Sequence, residues 1–388
     1  MSDQNPVFIP GPTNIPDRIR KACDMPTMDH RSADFRDILL PALEGVKQVY
    51  KMETGETVIF PSSGTGGWEA AITNTLSGGD QVLASNYGMF SQKWIDMCAR
   101  HGLDVQVIEQ TWGDGLPLAA YQEALAADAD HQIKAVLVTH NETATGVRSD
   151  VAAVRRALDD AAHPALLFVD GVSSIGSMDF RMDEWGVDIA ISGSQKGFML
   201  TAGLAIVGIS QKALAAMENA RLTRFYFDFR DMLGGYPNAG YPYTPPVGLL
   251  NGLKTSTGML LDEGLENVFA RHHRMAEGVR AAVRAWGLQN CANSEDIYSD
   301  TVTAIVVPEG IDGNALVSHA ATKYGVAFGA GLGKVAGKVF RIGHLGSLTD
   351  AMALSGLATA EMAMVDFGIR VTLGAGVAAA QDYYRTTA

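Results

Sequence analysis

Ala165-Leu166-Leu167-Phe168-Val169-Asp170 and Val187-Asp188-Ile189-Ala190-Ile191-Ser192-Gly193-Ser194-Gln195-Lys196 are short apolar runs that each stop on a chemically loaded residue. Runs this short and nearly continuously apolar suit strands covered on both faces, not the alternating strands of a one-sided sheet. Working outward, the same unit recurs. Residues 57–60 lead through a glycine-rich turn into a helical segment at 68–72, and residues 81–84 lead into a helical pattern at 90–100. Residues 135–138 stop at Thr139-His140-Asn141-Glu142-Thr143 before an alanine-rich helical stretch at 151–162. Strand, turn and helix in alternation predict an α/β fold with a mostly parallel, doubly wound sheet. Residues 204–209 follow 187–191 with too little room for a helix, so one antiparallel neighbour is expected.

Composition bounds the remaining possibilities. The chain has 388 residues, 47% hydrophobic and 19% charged, which suits a globular protein with a large core and two or three domains. A net charge of −13 without a dense basic face excludes a nucleic-acid binder. No apolar stretch approaches the roughly 18 residues of a membrane span, and the polar N-terminus lacks a signal-peptide pattern, so a cytoplasmic protein is expected. The three cysteines, Cys23, Cys98 and Cys291, are scattered, which argues for reduced thiols and against a disulfide framework or metal site. From about residue 222 the composition changes. Residues 234–246 are rich in aromatics, glycine and proline, and a long helix follows at 265–286, with Arg271, Arg274 and Arg280 expected to face outward. Strands at 301–307, 326–328 and 339–342 and helices at 314–324 and 351–366 complete a smaller α+β domain.

Ligands of open α/β sheets sit beyond the carboxyl ends of the strands. Ser63-Gly64-Thr65-Gly66-Gly67 opens a helix there, and free N–H groups, hydroxyls and the helix dipole make an anion site. The Lys-Ser/Thr pair of a nucleotide P-loop is missing. Asp170 ends its strand as a crevice carboxylate, or caps a following helix. Lys196 sits among small residues between apolar strands, where a desolvated amine of lowered pKa can attack a carbonyl. Anion loop, carboxylate and lysine together suggest pyridoxal 5'-phosphate, held covalently by the lysine, protonated on its ring by the aspartate and bound by its phosphate in the loop. Arg341, in Val339-Phe340-Arg341-Ile342-Gly343, is either half of a structural ion pair or a clamp for a substrate carboxylate. Gly331-Leu332-Gly333-Lys334-Val335-Ala336 mimics a dinucleotide fingerprint, but it opens into a strand and is rejected as one.

With these residues in place, the chain resembles the fold type I, class V pyridoxal-phosphate aminotransferases, in the serine–glyoxylate and aspartate–glyoxylate branch. The resemblance runs from Phe8-Ile9-Pro10-Gly11-Pro12-Thr13-Asn14-Ile15-Pro16 through residues 139–146, 170–174 and 193–196 to 338–346. It implies an N-terminal segment (1–22) at the substrate entrance, a large cofactor domain (23–262) and a small C-terminal domain (263–388). It implies that Lys196 binds the cofactor and shuttles the substrate proton, that Asp170 pairs with the ring nitrogen, and that Thr143 bonds the ring hydroxyl. Ser63, Gly64, Thr65 and Gln195 would contact the phosphate, Phe90 would stack on the ring and Val172 would pack beside it. Tyr241 and Thr244 would reach the phosphate of a neighbouring subunit, making a homodimer with shared sites; further pairing of dimers stays open. Arg341 would hold the α-carboxylate. His30 and Arg31 offer a second cationic pair for aspartate as donor, or a salt bridge to Asp29 or Asp34. Relatives that use serine also carry an arginine there, so the reading leans slightly to serine with aspartate close behind. One departure stands out: relatives tend to carry proline after the lysine, where this chain has Met199-Leu200-Thr201-Ala202-Gly203.

The expected activity is amino transfer from L-serine or L-aspartate to glyoxylate, with alanine–glyoxylate transfer as an alternative. A lyase such as a cysteine desulfurase would need a nucleophilic cysteine on a mobile loop, and residues 324–335 contain none. A non-catalytic binding protein would have no use for Lys196, Asp170 and Arg341 together.

Overall fold

The computed structural model describes residues 6–387. In chain order its strands are β1 (Glu56–Ser62), β2 (Gln81–Asn86), β3 (Asp104–Glu109), β4 (Ile133–Thr139), β5 (Asn141–Glu142), β6 (Val147–Arg148), β7 (Leu166–Asp170), β8 (Ile189–Gly193), β9 (Gly203–Ile209), β10 (Gln289–Asn290), β11 (Val302–Val306), β12 (Gly329–Ala330) and β13 (Val339–Gly343). The large sheet has seven strands in the order β1-β9-β8-β7-β4-β2-β3. Only β9 runs antiparallel to its neighbours, as its short connection to β8 requires. Every other strand therefore directs its carboxyl end to the same edge of the sheet.

The central strands behave as their composition demands. Each residue of β7 and β8 is buried. Helices Gly64–Thr75, Met89–Arg100 and Val151–Asp160 contribute apolar residues to the same core. Trp94 stacks on Trp68 at 5.6 Å and on Phe168 at 6.5 Å, and each such buried side chain is worth roughly 1.5–3 kcal/mol. β3 escapes sequence reading because it is the sheet's edge: its residues are exposed or half-buried throughout, so it has no apolar run.

A second, antiparallel sheet has the order β10-β11-β13-β12 and its own core, including Phe8, Val279, Phe340 and Leu357. Three details differ from expectation. Residues 326–328 are not a strand; the pairing falls on β12, and Phe328 makes a lone bridge to Phe8. The alanine-rich helix Ala375–Thr386 went unforeseen. Arg280 is only 3% exposed. It shares the buried stripe of helix Leu265–Ala285 with Ala276, Val279 and Val283, and its head donates to the Ser299 carbonyl at 2.9 Å and pairs with Glu277 and Asp300. No described helix is long and apolar enough to cross a membrane.

The N-terminal residues join the two sheets. Phe8 N–H donates to Ala327 O at 2.8 Å, Gly343 N–H donates to Phe8 O at 2.6 Å, and Thr13 N–H donates to Gln195 O at 3.2 Å. A Cβ on Gly343 would lie 2.4 Å from the Ile9 carbonyl oxygen, so glycine is what admits this segment beside β13.

Candidate active site

The carboxyl ends of β1, β7 and β8 converge on a cavity of about 200 Å³. Beyond β1, Ser63 precedes helix Gly64–Thr75 but its hydroxyl caps no backbone N–H, which leaves first-turn donors facing outward. Ser63, Gly64 and Thr65 line one part of the cavity, with Gln195 and Lys196 from the turn after β8. Phe90, Thr143, Asp170 and Val172 line the rest. Gly64 is required at its place, because a Cβ there would meet Val172 Cγ2 at 2.4 Å. Sequence reading missed Gly11, Pro12, Trp68, Ser173 and Ala202, which also line it. Only the fold carries the N-terminal residues to the lysine, so no local pattern could have found Gly11 and Pro12.

Asp170 is buried, and one carboxylate oxygen accepts from Val172 N–H at 2.9 Å. Residues 171–177 turn without forming a helix, so Asp170 is not a helix cap. Burial pushes its carboxyl up to about 7. Lys196 is 9% exposed; its amine donates to the Pro10 carbonyl and pairs with no carboxylate among the described residues. A Cβ on Gly11 would stand 2.6 Å from Nζ, so glycine allows the N-terminal segment to lie over the lysine. Burial, assisted by the charge of Arg341, draws the amine down to about 8.

Arg341, on β13, is 6% exposed. Its Nε donates to Ala330 O at 2.9 Å and its Nη1 to Thr143 O at 3.1 Å, and it has no acidic partner among the described residues. The structural ion pair left open by the sequence does not exist there, and burial lowers the guanidinium to about 10. Thr143 Oγ1 donates to Ser173 Oγ at 2.8 Å, and Ser173 donates onward to Asn141 O at 2.9 Å.

The turn after the lysine, which lacks a proline, is tied by a buried serine. Ser194 Oγ donates to Thr201 O at 2.7 Å and accepts from Leu204 N–H at 3.1 Å, while Leu200 N–H donates to Ser194 O at 3.0 Å. These bonds hold Met199 at φ 56°, a left-handed conformation uncommon for a residue with a side chain.

Five predicted residues do not line the cavity: Arg341, which meets its wall through the Thr143 carbonyl, and the four that follow. Tyr241 donates its hydroxyl to the Ile59 carbonyl of its own β1, and Thr244 is exposed. His30 is half-buried and Arg31 exposed; Arg31 N–H donates to Asp29 Oδ1 at 2.9 Å, but neither side chain forms an ion pair among the described residues.

The sequence profile of the family "Aminotransferase class-V" matches residues 21–344. The chain is a class V aminotransferase. Over 387 residues this aminotransferase is 69% identical to the L-aspartate–glyoxylate aminotransferase of Paracoccus denitrificans, covering 100% of this chain and 98% of that one. It is 56% identical to the serine–glyoxylate aminotransferase of Hyphomicrobium methylovorum, covering 98% and 95%. Its fold matches the crystal structure of pyridoxamine–pyruvate aminotransferase from Mesorhizobium loti with a TM-score of 0.92, at 28% identity and 100% and 99% coverage.

The cofactor of the aminotransferase is pyridoxal phosphate, and the cavity suits it. An uncapped helix start with two hydroxyls is a phosphate receptor, and a buried carboxylate and a desolvated amine share the same walls. Gln195 Oε1, buried there, has no hydrogen-bond partner within the described chain, and the Trp68 indole N–H favours the charged form of Asp170 beside it.

Asp170 gives this fit a test in the cofactor-free protein. Its raised pKa means that its contribution to stability is complete below the unfolded value near 4 and is lost as pH rises through about 7. Asp170→Asn should therefore raise the melting temperature of cofactor-free protein at pH 8, with the gain shrinking toward pH 5. A variant less stable than wild type at pH 8 would show that the buried carboxylate is structurally required.

Proposed function

We propose that this aminotransferase moves the amino group of L-aspartate or L-serine to glyoxylate, giving glycine and a 2-oxo acid. Arg341 carries the reading: a buried guanidinium hydrogen-bonded only to carbonyl oxygens, with Glu142 acting on it through space and no carboxylate in contact, has donors that the carboxylate of an amino or 2-oxo acid would fill. Glyoxylate has no side chain, so this anchor and the lysine are all that it demands. The higher identity to the relative named for aspartate supports aspartate as donor at least as well as serine.

Pyridoxal phosphate supplies an electron-accepting ring when bound. Lys196 would hold it covalently and, once the substrate's amino group has displaced it, its freed amine, whose pKa burial lowers, would take the substrate Cα proton and return it. Asp170 keeps the ring nitrogen protonated, and Thr143 orients the ring hydroxyl. Phe90 and Val172, which line the cavity, would hold the ring, and Ser63, Gly64, Thr65 and Gln195 would hold the phosphate. Tyr241 and Thr244 complete the site of a second subunit in a homodimer, which would turn them away from their own cavity. His30 and Arg31 stand ready for a donor's second carboxylate once the subunits meet. A cytoplasmic setting agrees with three unpaired cysteines.

Initial rates with glyoxylate and each of aspartate, serine and alanine test the assignment. Arg341→Lys should lower kcat/KM roughly 100-fold for every donor, as loss of a buried charge-assisted pair implies. Arg31→Ala should lower it for aspartate alone; equal losses for all donors would remove that role, and no glycine formation with any donor would overturn the proposed reaction. Mixing inactive Lys196→Ala with inactive Tyr241→Ala/Thr244→Ala subunits should restore activity in hybrids. Proven subunit exchange without recovery would refute the shared site.

A further inference from the structure

Helix Met89–Arg100 starts at Gly88, a residue with no side chain to cap the free N–H groups of the first turn. The cap comes from another element. Glu142, on β5 and fully buried, reaches over so that Oε2 accepts from Phe90 N–H and Ser91 N–H, each at 3.0 Å, while Oε1 accepts from Ala144 N–H at 3.1 Å. A Cβ on Gly88 would lie 2.1 Å from the Glu142 carboxyl carbon, so glycine at 88 is what admits the carboxylate. All these partners donate and none accepts; no cation forms an ion pair with Glu142 among the described residues, but the Arg341 charge acts on it through space. Burial raises the carboxyl's pKa, while the N–H donors and the positive end of the helix favour the carboxylate form.

The placement ties two walls of the cofactor cavity through one group. Phe90 is held by the cap itself, and Thr143 follows Glu142 directly in the chain. Thr143 in turn gives its carbonyl to Arg341 and its hydroxyl to Ser173. We propose that Glu142 is a positioning residue of this aminotransferase, its carboxylate setting the Phe90 ring against the Thr143 hydroxyl so that pyridoxal phosphate binds in one orientation. Glu142 itself touches neither cofactor nor substrate. The inference rests on the cofactor lying in this cavity.

The test is a double-mutant cycle on pyridoxal phosphate binding by cofactor-free protein, followed by tryptophan fluorescence and by the visible circular dichroism of the bound cofactor. Glu142→Gln keeps the shape but gives one face of the group N–H donors in place of an acceptor. It should weaken binding about 10-fold and reduce the dichroic signal as Phe90→Leu does. The double variant should fall well short of the roughly 100-fold loss expected of independent sites. A control cavity at Val154→Ala, in the buried face of helix Val151–Asp160 and not in the cavity lining, should lower the melting temperature without moving either readout. Multiplicative losses, or unchanged affinity and dichroism in Glu142→Gln, would overturn the proposal. If that variant does not fold, Glu142→Asp replaces it, with the same expectations for a carboxylate one methylene short. Wild-type protein that binds no pyridoxal phosphate would instead sink the placement of the cofactor.

Discussion

Lys196 and Arg341 are buried cations that share one interior with no carboxylate paired to either among the described residues. Burying a charge without a counter-charge costs several kcal/mol, and a fold keeps such groups only where something else repays the cost. The amine responds by losing basicity, and the guanidinium by taking two carbonyl oxygens. Both responses leave the groups prepared: one as a nucleophile and proton carrier near neutral pH, the other as a receptor for a carboxylate. Much of the surrounding architecture serves this single constraint.

The parallel sheet sends Asp170 and the lysine turn to the same edge, and the N-terminal segment lies over the lysine. That segment needs Gly11 and Gly343, because a side chain at either would strike Lys196 or the segment's own backbone. Behind the lysine, Ser194 ties the turn with its hydroxyl and backbone carbonyl and holds Met199 in a left-handed conformation. The rigidity that relatives are expected to draw from a proline comes here from hydrogen bonds. Arg341 is anchored to Thr143, so the carboxylate receptor of one sheet is registered against the cofactor wall of the other.

How much of this was legible in the sequence depended on range. Residues buried on both faces of a strand advertise themselves, so β7, β8 and β9 and the antiparallel turn between the last two were readable from apolar runs and spacing. Asp170 and Lys196 stood out because a charge at the end of such a run is unusual. The edge strand β3 was not readable, since exposure removes the apolar signal, and Arg280 was misplaced because an arginine on a buried stripe is satisfied by groups distant in sequence. Glu142 and Gly11 were beyond reach for the same reason: their partners, Phe90 and Lys196, lie far along the chain. For Arg341, sequence left two alternatives, and only the fold chose between them: no carboxylate among the described residues forms an ion pair with it, and Glu142 acts on it only through space.

The measurement that bears most directly on the account is borohydride reduction of the protein loaded with pyridoxal phosphate, followed by peptide mapping. A desolvated amine at the lip of the phosphate loop predicts a yellow protein that bleaches on reduction, with one label per chain on Lys196. Label spread over surface lysines, or a Lys196→Ala variant labelled as fully as wild type, would contradict it.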